Sequence, residues 1–138
     1  DGVMALFGIG GRPEIAAAQA VDAARRMAQN LAELNNGFAE ELQSPLKIGI
    51  GIHFGPAIIG EMGFGETQSL TAVGDTVNIA SRLETATKEL KCQLVVSDVV
   101  AKAAGIHAGV GQPHEIELRG RSKTLQVLAI KNAATLTK

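Results

Sequence analysis

The chain is poor in the residues on which several classes of protein depend. It has no tryptophan and no tyrosine, and aromatic residues make up only 3% of it. This composition disfavours a surface that stacks the bases of single-stranded nucleic acid. The single cysteine, Cys92, cannot form an internal disulfide and is typical of a reducing compartment such as the cytoplasm. We interpret it as a small buried apolar residue, the commonest role of a free cysteine.

Long hydrophobic runs and an excess of one charge are absent as well. No apolar segment approaches the roughly 20 residues that cross a bilayer. Thirteen Lys and Arg residues balance 14 Asp and Glu residues, for a formal net charge of −1, whereas general binders of nucleic acid or anionic membranes are normally basic. With 46% hydrophobic residues in 138 positions, the chain is expected to fold as one domain with a core.

The hydrophobic pattern predicts strands and helices in alternation. Strands are expected at 3–7, 46–54, 69–73, 93–97, 115–119 and 125–130. Helices are expected from 13 to about 42 with a weak point at 35–37, from Asp75 as N-cap to about 90, and from Ser97 or Asp98 to 103. This order predicts an α+β sandwich. Gly49 and Gly51 share one face of their strand with His53, which would let another element approach the backbone there.

One segment carries the chemistry. An apolar strand runs into Gly74-Asp75, which opens a helix, and Asn78 and Arg82 follow four residues apart on one helical face. An amide can hold a sugar or ring oxygen, and a guanidinium can grip a phosphate through two parallel hydrogen bonds. In the structural alternative, Arg82 pairs on the surface with Glu84 or Asp75, and Asn78 caps its own helix.

This segment resembles the signature of the class III nucleotide cyclases, G-[DN]-x-V-N-x-[AT]-[SA]-R, which is matched throughout from Gly74 to Arg82. The stretch 46–56 with Gly60 is similar to the family's central strand, and 1–8 to the strand that begins at its second metal-binding aspartate. The resemblance implies a catalytic domain over 1–131, followed by a tail at 132–138 that we expect to be frayed. It also implies a ferredoxin-like, palm-type fold, with helices packed on a mostly antiparallel sheet.

The family's opening strand, helix pair and next strand have no counterpart here, nor do its first metal-binding aspartate and its base-reading lysine. We therefore expect a piece of a longer protein, inactive by itself. Asp1 matches the second aspartate and is expected to bind metal only in the longer protein. The alternative is that Asp1 is a plain terminal residue.

The resemblance implies the conversion of ATP to 3′,5′-cyclic AMP and pyrophosphate with two divalent cations, Mg²⁺ or Mn²⁺. Asn78 would orient the ribose and Arg82 would stabilise the pentavalent phosphorus. Where the family has a phosphate-binding lysine in a K-G-K sequence, this chain has Arg119-Gly120-Arg121. Arg121 is the first match and Lys123 the second, and a solvated turn is the alternative.

Thr71 occupies the family's purine-reading position. Adenylate cyclases typically have Asp there, or Thr in one subclass that is often bicarbonate-responsive, whereas guanylate cyclases typically have Cys. The resemblance therefore favours an adenylate cyclase of the Thr-bearing subclass, with a bicarbonate response as a subsidiary hypothesis. The alternative for Thr71 is an ordinary β-branched strand residue.

Family members share their active sites across a head-to-tail homodimer, so we expect the hairpin 60–69 to reach a second copy. A sensor or membrane domain upstream, in a cytoplasmic signalling protein, is also expected. The alternatives are a guanylate cyclase and a non-catalytic, cyclase-like dimerisation or regulatory module.

Gly8-Ile9-Gly10-Gly11 lacks the lysine of a phosphate-binding loop and predicts a tight turn. The three histidines have no metal-site spacing, and His53 is expected to serve strand packing.

Overall fold

The structure, a computed structural model, describes residues 2–63, 65, 69–118 and 123–136. Its helices are α1 (Pro13–Gly37), α2 (Asp75–Leu90) and α3 (Asp98–Ala104), with single 3-10 turns at Ala108–Val110 and Ala133–Thr135. Its strands are β1 (Ile50–Ile52), β2 (Ile58–Met62), β3 (Ser69–Val73), β4 (Leu94–Ser97), β5 (Gln112–Glu117) and β6 (Thr124–Ile130).

Four strands form the main sheet in the order β1-β4-β6-β5. The β1–β4 pair is parallel, and the β4–β6 and β5–β6 pairs are antiparallel. Strands β2 and β3 form a separate antiparallel hairpin. The predicted α+β class, with helices packed on a mostly antiparallel sheet, is confirmed.

The core lies on both faces of the sheet, and strand β4 contributes side chains to the core on each face. Leu94 and Val96 face the cluster built with α1 and α3, whereas Val95 faces the cluster that includes Leu83 of α2. All three β4 residues are fully buried. Because successive strand residues point to opposite faces, this short apolar strand holds helices on both sides of the sheet.

Helix α2 approaches β1 so closely that only glycine fits between them. A Cβ atom at Gly51 would lie 2.5 Å from the carbonyl oxygen of Ala80 and would also clash with the backbone nitrogen of Glu84. A Cβ at Gly49 would meet the hydroxyl of Thr87. The predicted close approach to this glycine face is confirmed, and α2 is the element that makes it.

The amino-terminal segment differs from its prediction. Residues 2–8 form no strand, and Val3 is 98% exposed. A strand needs a neighbour for its backbone groups, and none of the described strands pairs with this segment. The following glycines form the predicted tight turn, in which the Gly11 N–H donates to the Gly8 carbonyl at 3.0 Å.

Several boundaries also differ. The strand predicted at 46–54 is a ladder over Ile50–Ile52 only, and the strand predicted at 115–119 begins at Gln112 and ends at Glu117. The N-cap of α2 is Gly74 rather than Asp75, because the chain reverses there with φ 138°, which a side chain would disfavour.

The predicted frayed tail is wrong for residues 132–136. Ala133 and Leu136 are buried against α1 and α3, and the Ala133 N–H donates to Oε1 of Gln93 at 2.9 Å. Burying these apolar side chains offsets the entropy cost of ordering the segment. Residues 137–138 lie outside the described part of the chain.

None of the helices that the structure describes combines the length and the apolar character needed to cross a membrane.

Candidate active site

Helix α2 presents the first two predicted site residues. Asn78 lies exposed in its first turn, where the Asn78 N–H donates to the Gly74 carbonyl at 3.3 Å. Arg82 follows one turn later, about 6 Å along the helix axis. The glycine contact with β1 fixes this helix on the sheet, so the two side chains share a rigid support.

Two groups hold the guanidinium of Arg82. Its Nε–H donates to the Glu117 carbonyl at the end of β5, at 3.1 Å. Its two terminal nitrogens donate to the two carboxylate oxygens of Glu89, at 3.3 and 3.5 Å. The Arg82 side chain is 25% exposed. Thus Arg82 joins α2 to the β5–β6 hairpin while part of it still faces solvent.

The hairpin end beside Arg82 carries Lys123. Glu117 pairs with Thr124 across the hairpin, and the Leu118 N–H donates to the Lys123 carbonyl at 3.4 Å. Lys123 is exposed. The structure therefore brings Arg82 and Lys123 to the same end of the hairpin. Arg121, the first candidate there, lies with 119–122 outside the described residues.

Thr71 lies on β3, where it pairs with Gly60 of β2 and is partly buried. Only Ala72, Val73 and Gly74 separate it from α2. The strand-to-helix turn therefore links Thr71 to Asn78 through the chain, although no hydrogen bond between described residues joins these two side chains.

A cluster that the sequence analysis missed lies beneath the start of α2. Nδ1 of His53 and Oγ of Ser97 share a hydrogen bond of 2.8 Å, and Ser97 is fully buried. Burial lowers the pKa of His53, and the nearby negative charge of Asp75 acts in the opposite direction. The parallel register places position 53 beside position 97, but pairing of these strands could not be read from residue spacing.

Metal binding finds no support in the part of the chain described. Asp1, the predicted ligand, lies outside it, and the described residues hold no group of three His, Cys, Asp or Glu residues suited to an ion. Cys92 is partly buried, its thiol donates to the Leu94 carbonyl at 3.6 Å, and burial raises its pKa. The predicted small buried apolar residue is thus only partly buried.

Known proteins are similar to this chain over most of its length. The family described as "Adenylate and Guanylate cyclase catalytic domain" matches residues 1–131. An adenylate cyclase of Anabaena cylindrica is 30% identical over 131 residues, which cover 92% of this chain and 24% of that protein. The adenylate cyclase, terminal-differentiation specific, of Dictyostelium discoideum is 29% identical over 134 residues, covering 94% of this chain and 6% of that protein.

Among solved structures, the guanylyl cyclase Cya2 is similar, with a TM-score of 0.75 and 25% identity over 90% of this chain and 62% of that chain. The chain spans a quarter or less of the length of the Anabaena and Dictyostelium adenylate cyclases. Since the family match includes the strand–turn–helix that bears Asn78 and Arg82, the chain belongs to the adenylate and guanylate cyclase catalytic-domain family.

Proposed function

We propose that this chain is the catalytic domain of an adenylate cyclase, a lyase that converts ATP to 3′,5′-cyclic AMP and pyrophosphate in cytoplasmic signal transduction. One observation carries the proposal. The guanidinium of Arg82 is held one helical turn from Asn78, at the hairpin end that carries Lys123. A ribose, a reacting phosphorus and a leaving pyrophosphate need an amide, a guanidinium and further cations arranged in this way.

In the proposed reaction, the ribose 3′-oxygen forms a bond to the α-phosphorus while the bond from that phosphorus to the pyrophosphate oxygen breaks. The hydroxyl proton leaves to solvent or to a base. The Asn78 amide orients the ribose. Arg82 stabilises the charge that develops on the phosphoryl oxygens, and its bond to the Glu117 carbonyl fixes its plane beforehand. Lys123, together with Arg121, binds the departing phosphates.

The choice of ATP depends on Thr71. Its hydroxyl can accept a hydrogen bond from the amino group of adenine, as expected for the Thr-bearing subclass. A guanylate cyclase is the second candidate, because the similar solved structure is described as a guanylyl cyclase. Thr71 also supports the subsidiary hypothesis of a bicarbonate response.

Membership of the family implies that the reaction uses divalent cations, Mg²⁺ or Mn²⁺. They would assist both the attack of the ribose 3′-oxygen and the departure of pyrophosphate. The described residues alone do not make a site for them. Asp1 is expected to hold a cation only in the longer protein.

A homodimer with shared sites is also proposed. The β2–β3 hairpin that carries Thr71 exposes Ile58 (73%), Leu70 (56%) and Val73 (50%) to solvent. A two-stranded hairpin is barely stable by itself, so a second copy that covers these side chains would fix Thr71 in place. Control by an attached sensor or membrane domain fits the greater length of the relatives.

The test is cyclic nucleotide synthesis by the full-length protein given ATP or GTP with Mn²⁺, with the 138-residue chain measured alongside. We expect cyclic AMP from ATP, and a loss of about 10²–10³ in kcat for Arg82→Ala. Arg26→Ala is the control, since Arg26 is an exposed arginine on α1 that pairs with Asp22. Cyclic GMP as the main product would favour the guanylate cyclase. No product from a folded, dimeric protein would favour the regulatory module.

A further inference from the structure

We propose that His53 is a positioning residue, which couples the ends of β1 and β4 to the first turn of α2 and so sets where Asn78 and Arg82 stand above the sheet. The kinetic consequence rests on the cyclase activity proposed above, whereas the structural coupling does not.

The sheet places His53 directly beneath α2. The register pairs Gly51 with Val95 and Ile52 with Val96, so His53 follows beside Ser97. Val95 belongs to the core cluster under α2, and the two-residue period of β4 turns Ser97 toward the same face. The imidazole therefore lies on the α2 side of the sheet, where the buried Ser97 hydroxyl fixes it at 2.8 Å.

The segment after β1 contacts the first turn of α2 at a second point. The hydroxyl of Thr76 donates to the Pro56 carbonyl at 2.6 Å, and a Cβ at Gly55 would lie 2.7 Å from that hydroxyl. Residues 53–56 thus form a seat for the start of α2. His53 is the titratable member of this seat. Its charge would act on Asp75, which is the first residue of the helix.

Among the described residues, two elements place a charged or polar group at His53. Helix α2 contributes the Asp75 carboxylate, and β4 contributes the Ser97 hydroxyl. On the far side of Ser97, β6 contributes Val127, which carries no charge. Asp98 at the start of α3 is paired with Lys102 at 2.8 Å. Protonation of His53 would therefore act mainly on Asp75, in the first turn of α2.

The kinetic test compares His53→Ala and His53→Gln in the full-length protein, with His107→Gln as control because His107 is an exposed loop histidine. We expect His53→Ala to lower kcat about 10-fold, since small displacements of positioned groups are costly, with KM within about twofold. His53→Gln, whose amide can still bond Ser97, should recover part of kcat. It should also lose the acid limb of the kcat/KM pH profile that His53 contributes.

Unchanged kcat in His53→Ala, or an effect confined to thermal stability with the pH profile intact, would overturn the proposal.

A second measurement needs no catalysis. The titration of the His53 ring is followed by NMR in the wild type and in Asp75→Asn. Loss of the carboxylate removes the interaction that raises the His53 pKa, so its midpoint should move to lower pH. An unchanged midpoint would overturn the coupling. If the wild type makes no cyclic nucleotide, the proposed function fails, and this titration still decides the structural role.

Discussion

The two parts of the candidate site differ in how the chain supports them. Helix α2, with Asn78 and Arg82, packs on β1 through Gly51, and its Leu83 is fully buried. The β2–β3 hairpin, with Thr71, exposes Ile58, Leu70 and Val73, and none of its described side chains belongs to either core cluster.

This difference separates two kinds of task. The groups proposed to act on the sugar and phosphate need fixed geometry, and the chain's own core supplies it. The residue proposed to read the base stands on a two-stranded hairpin, an element that is barely stable without further packing. The proposed reactive groups thus stand on the chain's own core, whereas the proposed base-reading residue stands on a hairpin whose described side chains belong to neither core cluster.

The largest contrast is expected from truncation of a leucine in each part. Leu83→Ala removes a fully buried side chain and should lower the free energy of unfolding by about 2–5 kcal/mol. Leu70→Ala, on the exposed hairpin, should change it by about 0.5 kcal/mol or less. Urea unfolding measures both. Equal losses would break the comparison, because the hairpin would then be as well packed as α2.

A glycine pair sharpens the contrast at the backbone. Gly51→Ala forces α2 away from β1 and should cost about 1–3 kcal/mol. Gly60→Ala is the matched control, since nothing lies within 4 Å of a Cβ placed there. We expect no loss of stability for this control in the same urea titration. A neutral Gly51→Ala would show that α2 is not locked to the strand.

The seat of α2 should also give stability a pH dependence. Burial holds the pKa of folded His53 below its ordinary value of 6.5. The unfolded chain therefore binds the proton first, so this contribution is complete above about pH 6.5 and falls as the pH drops toward the folded pKa. Urea midpoints at pH 7.5 and 5.5 should differ less in His53→Gln than in the wild type. His107→Gln should keep the wild-type difference.

The smallest effect is expected at the exposed ion pair between the Arg82 guanidinium and the Glu89 carboxylate. Glu89 is 55% exposed, so Glu89→Gln should change stability by about 0.5 kcal/mol or less. A phosphate would compete with this carboxylate for the same guanidinium nitrogens, so KM for the nucleotide should fall by about twofold. Glu84→Gln, an exposed neighbour on the same helix, is the control. A raised KM in Glu89→Gln would mean that Glu89 holds Arg82 in its working position.

Much of the local structure could be predicted from the sequence. The strand–glycine–helix around Gly74 could be predicted, because a turn with positive φ and an amphipathic helix each depend on a short run of neighbouring residues. The glycine face of β1 could also be predicted, since a strand's two-residue period assigns faces without knowledge of its neighbour. Placing Asn78 and Arg82 on one face of α2 followed from the helical period, which brings residues four apart to the same side.

Errors arose where a residue's state depends on distant partners. The segment 2–8 has a strand-like pattern but pairs with no described strand. The segment 132–136 has no strand or helix pattern in the sequence, yet Ala133 and Leu136 pack in the core cluster beside α1. Both outcomes depend on surfaces that residue spacing does not reveal.

The sequence by itself determined the family, the α+β class, and the helical face that bears Asn78 and Arg82, because these depend on motifs and periodicity within short windows. Only the tertiary structure decided that the Glu117 carbonyl holds Arg82, and that His53 lies between Ser97 and the start of α2. The Arg82–Glu117 hydrogen bond joins residues 35 positions apart, and the His53–Ser97 hydrogen bond joins residues 44 positions apart. Their geometry is set by strand pairing and by helix packing against the sheet, which no local pattern specifies.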